Sequence, residues 1–236
     1  MKQKSFLLIF SLLLLGLMSK AQDTTTLILS PGKGYDVTSS TQYPNDNWEG
    51  EQKVQSYAWT VSGQENICRT FMKFDMSGIP SNTVITKAFL YLYHTPIIDH
   101  QGDNQSYVSR ITESWNSTTL THNMQPNITT QDQVLIPSTT SSTQDFVIDV
   151  TAITQYLISN PSQNFGYRIS LVTEQTYRRM CFASSEATDS TIRPKLVIIT
   201  QPQPIGDKET FILSPGNGYD VTSSTQYPND NWEGEQ

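Results

Sequence analysis

The chain has 236 residues and a formal net charge of −7 at pH 7, and 36% of its residues are hydrophobic. A protein that binds nucleic acid needs a basic face for the phosphates, so this acidic balance argues against nucleic acid as a partner. A domain of about 180 residues can bury a large core, so the chain needs neither disulfides nor a metal in order to fold.

The first 21 residues have the pattern of a secretory signal peptide. Lys2 and Lys4 precede an apolar run at residues 6–18, and Ser19-Lys20-Ala21 supplies the small residues Ser19 and Ala21 before the expected cleavage. The run is too short to cross a bilayer as a helix, which needs about 20 residues. We therefore expect a protein that is secreted or held at the cell surface, with no membrane segment after cleavage. A retained membrane anchor is the alternative.

The chain repeats its own sequence after 184 residues. Residues 26–52 and residues 210–236 are identical at 25 of 27 positions. This offset corresponds to a whole domain and is too long for one unit of a solenoid. The two exchanges are Leu27 for Phe211 and Lys33 for Asn217.

The repeat determines the predicted domain organisation. We expect a signal peptide at residues 1–21, a β domain at 22–200, a linker at 201–208 and the start of a second, truncated copy at 209–236. The linker's two prolines favour a stiff, extended segment. In this organisation, tandem copies are partners within one chain. A tail that adds a strand to its own or another copy is the alternative.

Residues 24–200 alternate short β-rich segments with turns rich in Pro, Gly, Asn and Asp. The strongest candidate strand lies at residues 83–93, and helical spacing of apolar residues at 150–158 predicts one short helix. Many short strands and little helix predict an all-β protein, an antiparallel sandwich or jelly roll. The other candidate strands lie at residues 146–150, 167–172, 180–183 and 196–200.

Residues 69–93 carry the most specific pattern of the chain, RTFMKFDMSGIPSNTVITKAFLYLY. Three blocks follow in order, namely RITESW at 110–115, DVT at 149–151, and FASSE at 182–186 with RPKL at 193–196. In this order the blocks resemble the DNRLRE domain, which is also described as carbohydrate-binding module family 96. His122 stands where that family has a second Trp.

The resemblance covers roughly residues 26–200 and implies both a fold and a function. It implies an antiparallel jelly-roll β-sandwich that occurs in tandem in secreted and surface proteins. Some members of the family bind polysaccharides, alginate among them, and many have no assigned ligand. The fold carries over better than the ligand does, because one fold can host unrelated functions.

The two cysteines leave two interpretations open. In an oxidising compartment Cys68 and Cys181 can form one disulfide. Alternatively, both are small buried thiols on different strands, because free cysteine packs as a small hydrophobic residue. Nothing in their spacing suggests a metal site.

The sequence lacks the common catalytic motifs. It has no G-x-S-x-G nucleophile elbow, no H-E-x-x-H zinc motif and no glycine-rich phosphate loop. Glu113, Glu174 and Glu186 are candidates for a hydrolytic carboxylate pair, but surface acids on strands and loops are common. We therefore predict that the protein is not an enzyme.

A structural calcium ion is the one metal that the sequence suggests. Calcium is bound by carboxylate and carbonyl oxygens, which Asp36, Asp46, Asn47 and Glu49 offer. The loop at residues 99–104 offers a second set. Plain polar turns are the alternative for both segments, and no other cofactor is expected.

Candidate ligand-binding residues combine aromatic rings with cations. Rings stack on the apolar face of a sugar, and the fork of Arg matches the two oxygens of a carboxylate. Arg69 and Lys73 share strand parity, so we expect them to form a polyuronate groove with neighbouring arginines; scattered salt bridges are the alternative. The candidates are Arg69, Lys73, Tyr91, Tyr93, Arg110, Arg168, Arg178 and Arg179, with Trp48, Trp59, Trp115 and Tyr177 as further aromatic residues.

Two functions fit these observations. The first is a secreted, non-catalytic module that binds a polysaccharide, such as alginate or another polyuronate, as part of a larger tandem protein. The second is a spacer or adhesin repeat of a cell-surface protein that has no sugar ligand. The near identity of the two copies favours the second, although linked weak sites also gain affinity.

Overall fold

A computed structural model describes residues 22–201 of the chain. The predicted signal peptide, the linker beyond residue 201 and the second copy lie outside the described residues. The described part consists of two antiparallel sheets and one short α-helix. The predicted all-β sandwich with one short helix is therefore confirmed.

The strands follow one another along the chain with short 3-10 turns and one helix between them. In chain order the elements are β1 (Thr24–Ile28), β2 (Gly34–Ser40), β3 (Lys53–Val61), β4 (Gln64–Phe74), β5 (Ile85–Leu92), β6 (Ser106–Ile111), β7 (Ile128–Ile136), β8 (Phe146–Asp149), α1 (Thr151–Ser159), β9 (Tyr167–Leu171), β10 (Arg178–Ala183) and β11 (Lys195–Thr200).

The strands divide into a four-stranded and a seven-stranded sheet. The four-stranded sheet has the order β1-β11-β5-β8, and the seven-stranded sheet has the order β10-β3-β4-β9-β6-β7 with β2 also paired to β4. The chain passes from one sheet to the other at β1–β2, β4–β5, β5–β6, β7–β8, β8–β9 and β10–β11. These crossings tie the two layers together covalently.

The main core lies between the two sheets. Strand β5 shows why: Ala88, Leu90 and Leu92 are fully buried, while Phe89 and Tyr91 between them are half-buried. Side chains alternate along a strand, so every second residue points into the sandwich. Met72 and Phe74 of β4 meet this face from the other sheet.

The helix α1 closes one end of the sandwich. Its buried side chains include Ile153, Leu157 and Ile158, which join the main core. The carboxylate of Asp149 accepts hydrogen bonds from the amide and hydroxyl of Thr151, at 3.0 and 2.5 Å, at the start of the helix. The helix predicted at residues 150–158 is therefore confirmed to within one residue.

A second, smaller apolar cluster lies under the loop at residues 112–127. It contains Phe71 of β4 together with Val37, Ile111 and Leu120, and the half-buried Trp115 packs against it. Such satellite clusters form under long loops because they supply the loop with its own buried surface.

Asn47 holds this loop in place. Its amide group donates hydrogen bonds of 2.6 and 2.7 Å to the carbonyl oxygens of Ser117 and Leu120. The ring nitrogen of Trp115 donates at 2.7 Å to the carbonyl of Phe165 and fixes the loop from the other side.

Both cysteines are free and buried. Cys68 lies on β4 opposite Tyr57 of β3, whereas Cys181 lies on β10 opposite Gln55 of β3. The strand between them separates the two backbones by roughly 10 Å, more than the ~7 Å that a disulfide tolerates. The structure therefore favours the interpretation as buried thiols.

The sandwich core can be tested with a matched pair of substitutions on neighbouring strands. Leu90→Ala should lower the free energy of unfolding by about 2–5 kcal/mol, because Leu90 is fully buried and a cavity would remain. Val147→Ala on β8 should change it by less than about 0.5 kcal/mol, because Val147 is 59% exposed. Urea denaturation measures both, and equal effects would contradict the assigned faces.

Candidate functional site

On the seven-stranded sheet, the side chain of Arg69 is already bound by another residue of the protein. Its guanidinium donates to both carboxylate oxygens of Glu174, at 2.6 and 2.7 Å, and to the side-chain oxygen of Gln125 at 3.1 Å. The hydrogen bonds from Arg69 to Glu174 raise the pKa of Arg69. A bidentate pair of this kind neutralises the charge and ties two loops to β4.

The expected groove along Arg69 and Lys73 is interrupted. The two side chains share strand parity, but Phe71 between them is fully buried in the cluster under the 112–127 loop. Lys73 therefore lies on the far side of the buried Phe71 from Arg69. Its ammonium nitrogen is 6.0 Å from the ring centre of Tyr35. Arg168 is paired with Phe71 across the ladder, and burial lowers its pKa.

Arg110 is in the interior. It is only 6% exposed, and its guanidinium lies 3.6 Å from the ring centre of Tyr156 on α1. This cation–π contact is made at the end of the sandwich, where the helix packs. Arg110 is thus placed to support the helix rather than to meet a ligand.

Tyr91 and Tyr93 do come together, on the outer side of the four-stranded sheet. Their rings are stacked at 6.5 Å, and the ammonium nitrogen of Lys195 lies 4.5 and 5.5 Å from their centres. Val147, directly across from Tyr91, is exposed. This face offers two rings and one point charge.

Trp59 lies between Arg179 and two further aromatic rings. The guanidinium carbon of Arg179 lies 4.7 Å from the ring centre of Trp59. The rings of Tyr57 and Tyr177 lie 6.3 and 5.1 Å from that of Trp59, the first stacked and the second edge-on. We call these four residues the aromatic platform.

The backbone around the platform is held in an unusual conformation. Tyr177 has a φ of +71° and is 58% exposed. A positive φ is uncommon for an aromatic residue, and such outliers concentrate at functional sites. A Cβ at Gly102 would collide with the carbonyl oxygen of Tyr177, so glycine is required where the neighbouring loop approaches.

The loop at residues 99–104 fixes Arg179 from behind. Arg179 and Gln101 exchange two backbone hydrogen bonds of 2.8 and 2.9 Å, and Nε of Arg179 donates to the carbonyl oxygen of Asp99 at 2.8 Å. Within residues 22–201, no carboxylate forms an ion pair with Arg179. Its two terminal nitrogens are therefore available to a ligand.

Arg178 differs from its neighbour in this respect. One terminal nitrogen donates to the side-chain oxygen of Gln175 at 2.9 Å, and the other lies 3.5 Å from the carboxylate of Asp103. Arg178 lies opposite the buried Ala58, on the other face of β10 from Arg179, and much of its hydrogen-bonding capacity is already used.

The proposed calcium ligands do not converge. Asp36 is buried on β2, where its carboxylate accepts a 2.7 Å hydrogen bond from the amide of Ser185. Asp46, Asn47 and Glu49 lie in the loop after β2, and the oxygen of Asn47 accepts from the amide of Glu49. In the part of the chain that the structure describes, no three His, Cys, Asp or Glu residues could hold a metal ion. In the 99–104 loop, Asp99 and Gln101 form hydrogen bonds with Arg179.

The rings of His94 and His100 lie 5.2 Å apart, and among residues 22–201 they belong to no group of three potential metal ligands. The buried His100 accepts a hydrogen bond from the amide of Cys181 at 3.0 Å, and its other ring nitrogen faces the carbonyl of Gln144 at 2.9 Å. Burial lowers the pKa of His100, so the neutral ring suits this position. Both ring nitrogens are already engaged by the protein.

Sequence reasoning found part of the platform. Trp59, Tyr177 and Arg179 were among its candidates, but Tyr57 was not. The missing signal was the pairing of β3 with β10, which places Tyr57 directly opposite Arg179. An aromatic residue two positions before Trp59 on one strand was the available clue, since residues i and i+2 share a face.

A family model for carbohydrate-binding module family 96 matches residues 35–200. This range covers β2 to β11 and includes all four platform residues. Carbohydrate-binding modules are generally non-catalytic. No curated protein matches the sequence. Among residues 22–201, no helix is long and apolar enough to cross a membrane.

The buried Asp36 should make stability depend on pH. Burial raises the pKa of Asp36 from 3.8 to about 7. The folded state then holds a proton that the unfolded state has lost, so stability falls as pH rises from about 4 to 7. Asp36→Asn removes this cost. Relative to the wild type, the variant should gain on the order of 3–4 kcal/mol between pH 4 and pH 8.

Urea denaturation at several pH values measures this difference. Asp189→Asn is the matched control with the opposite sign, because hydrogen bonds from Thr191 lower the pKa of Asp189. Relative to the wild type, that variant should lose stability as pH rises through the range below about 4. If the difference in the free energy of unfolding between Asp36→Asn and the wild type stays constant from pH 4 to pH 8, burial does not raise the pKa of Asp36.

Proposed function

Because the chain belongs to carbohydrate-binding module family 96, we propose that its described domain is a non-catalytic module that binds an acidic polysaccharide, alginate or another polyuronate. The aromatic platform is the proposed contact surface. The observation that carries this proposal is Arg179, a cation without an ion-pair partner in residues 22–201, fixed over the ring of Trp59.

The platform supplies the two kinds of contact that a uronate needs. The apolar C–H face of a sugar ring packs on an aromatic face, and three rings are gathered here. The carboxylate matches the forked guanidinium of Arg179, whose Nε is already held by the carbonyl of Asp99. A ligand thus meets a preorganised arginine and loses little freedom in ordering it.

The overall charge of the chain makes such a local site necessary. With a net charge of −7, the protein as a whole repels an anionic polymer. Binding must therefore depend on a few cations that the protein does not neutralise itself. Arg69 is excluded from this role by Glu174, whereas Arg179 is not. Salt should weaken the interaction, because ions screen exposed charges.

The stacked tyrosines on the other sheet are a weaker candidate surface. Lys195 is a compact point charge and cannot grip a carboxylate with two parallel hydrogen bonds. The pair Tyr91 and Tyr93 also lacks a tryptophan, the ring with the largest apolar face. We therefore assign the polyuronate to the platform and use the tyrosine pair as a comparison.

The wider context belongs to the same proposal. The signal-like segment at residues 1–21 supports export, and the repeated sequence at 210–236 supports a tandem protein. Linked copies bind a polymer with more affinity than a single one, because the second contact is intramolecular. The repeat also supports the second candidate function, a spacer or adhesin that binds no sugar.

Substitutions in the platform test the proposed function. Arg179→Gln should weaken binding to alginate or polygalacturonate about tenfold or more, because a hydrogen bond to a charged group contributes about 1.5–3 kcal/mol. Tyr177→Ala should also weaken binding, and the exposed position of Tyr177 makes loss of folding a small risk. Isothermal titration calorimetry at low salt measures both effects.

Tyr91→Ala on the opposite sheet is the matched control and should leave the affinity within about twofold. Circular dichroism verifies that each variant is folded. If the wild type binds no polyuronate at low salt, the spacer function replaces the proposed one. If Tyr91→Ala weakens binding and Arg179→Gln does not, the binding site lies on the four-stranded sheet and not at the aromatic platform.

A further inference from the structure

A cavity of about 530 Å³ lies at the other end of β4. Its walls come from three segments, namely the turn before β2, the end of β4 with the turn that follows, and the C-terminal half of α1 with the next turn. Small-molecule sites in proteins have volumes of about 300–1,000 Å³. We call this cavity the end pocket; its wall includes Tyr35, Lys73, Phe74, Asp75, Leu157 and Ile158.

Gly34 lets the wall of the end pocket form. Its φ is +136°, and a Cβ there would collide with the carbonyl oxygen of Lys73 and lie 2.7 Å from Cδ1 of Leu29. Strand β2 can therefore begin close against the end of β4 only with glycine at this position. The close approach places Tyr35 beside Lys73, directly opposite it in the ladder.

The end pocket has an apolar lining and a polar rim. The apolar part includes the half-buried Tyr35 and Ile79, together with Phe74, Leu157 and Ile158, which are at most 2% exposed. At the rim, Lys73 has no ion-pair partner among the described residues. The exposed carboxylate of Asp75 accepts a 3.0 Å hydrogen bond from the amide of Ser77. A carboxylate has about four acceptor positions, so it can also accept from a ligand hydroxyl.

Cations outnumber acids at this rim. Lys33 and Lys73 both lie near Asp75, and their charges help to lower its pKa, after the larger effect of the hydrogen bonds from Ser77. The rim therefore keeps a surplus positive charge in an acidic protein. Lys33 is also one of the two positions at which the repeat differs, since the second copy has Asn217 there.

The end pocket is far from the aromatic platform. Trp59 pairs with Asn66 near the start of β4, and Lys73 lies seven residues further along the same strand. At roughly 3.3 Å per residue the two positions are about 23 Å apart. One ligand residue cannot contact both, so the end pocket would be a second and independent site.

We propose that the end pocket binds one uronic acid residue. The carboxylate contacts the ammonium group of Lys73, a ring hydroxyl donates to the carboxylate of Asp75, and the apolar face of the sugar packs toward Tyr35 and Ile79. The sugar class rests on the proposed function, and the choice of an acidic sugar rests on the surplus charge of the rim. With the platform, each domain then has two contact points for acidic polysaccharide.

Nuclear magnetic resonance with short ligands separates the two sites. Trimers prepared from alginate and from polygalacturonate are titrated into the ¹⁵N-labelled chain, with the neutral trimer cellotriose as control. The amides of Lys73 and Ser77 report on the end pocket, and the indole N–H of Trp59 reports on the platform. We expect at least one acidic trimer to shift both sets of signals, and cellotriose to shift the pocket amides at least tenfold more weakly.

Two variants assign the signals. Lys73→Met, which keeps the length of the side chain, should reduce affinity at the pocket amides about tenfold and leave the Trp59 response unchanged. Lys33→Asn introduces the residue that the second copy has at this position. It should reduce the affinity measured at the pocket amides by a smaller factor, and this reduction should disappear at high salt. Lys87→Met is the control, because Lys87 pairs with Asp149 on the other sheet.

The outcomes distinguish the two proposals. If the pocket amides do not respond to either acidic trimer, or if Lys73→Met leaves their response unchanged, the end pocket is not a uronate site. If those amides respond while the Trp59 indole and the affinity of Arg179→Gln stay unchanged, the platform is wrong and the end pocket stands. If the pocket amides respond equally to cellotriose, the carboxylate of the ligand does not contribute to binding in the end pocket.

Discussion

Strand β4 is the element on which the rest of the structure depends, because its backbone is hydrogen-bonded to β2, β3 and β9. Its alternating side chains serve two layers at once: Met72 and Phe74 belong to the main core, while Phe71 belongs to the small cluster under the 112–127 loop. A shift of one residue in its register would exchange these faces. The same strand also determines where ligands can bind, since the aromatic platform lies near its beginning and the end pocket near its end.

The contacts of each basic side chain distinguish cations that stabilise the fold from cations that can bind an anionic ligand. Arg69 forms a bidentate pair with Glu174, and an anionic ligand could reach it only by displacing a carboxylate that is already well placed. Arg110 is buried against Tyr156. By contrast, Arg179 and Lys73 have no ion-pair partner within residues 22–201. In a chain with a net charge of −7, cations of this kind attract an acidic polymer. Lys33, Arg168, Arg193 and Lys195 also form no ion pair among the described residues, so the neighbouring rings and pocket walls must select between them.

The sequence predicted the class of fold and several elements, because their signals are local. Strand β5 and helix α1 are readable from the spacing of apolar residues, and residues 167–172 and 180–183 fall on β9 and β10. The shared parity of Arg69 and Lys73 was also correct. The burial of Phe71 between them could not be predicted, because the loop that covers Phe71 is held by Asn47, which is far away in sequence. The platform likewise depends on the pairing of β3 with β10, which no local pattern indicates.

The most direct test of this account is a map of all backbone amides perturbed by an acidic polysaccharide fragment, measured by nuclear magnetic resonance on the ¹⁵N-labelled chain. The account predicts that perturbed amides gather at the two ends of β4, around residues 57–59 with 177–179 and around residues 33–35 with 73–77, while the fragment itself stays intact. Perturbations centred on Tyr91 and Lys195, or cleavage of the fragment during the titration, would contradict it.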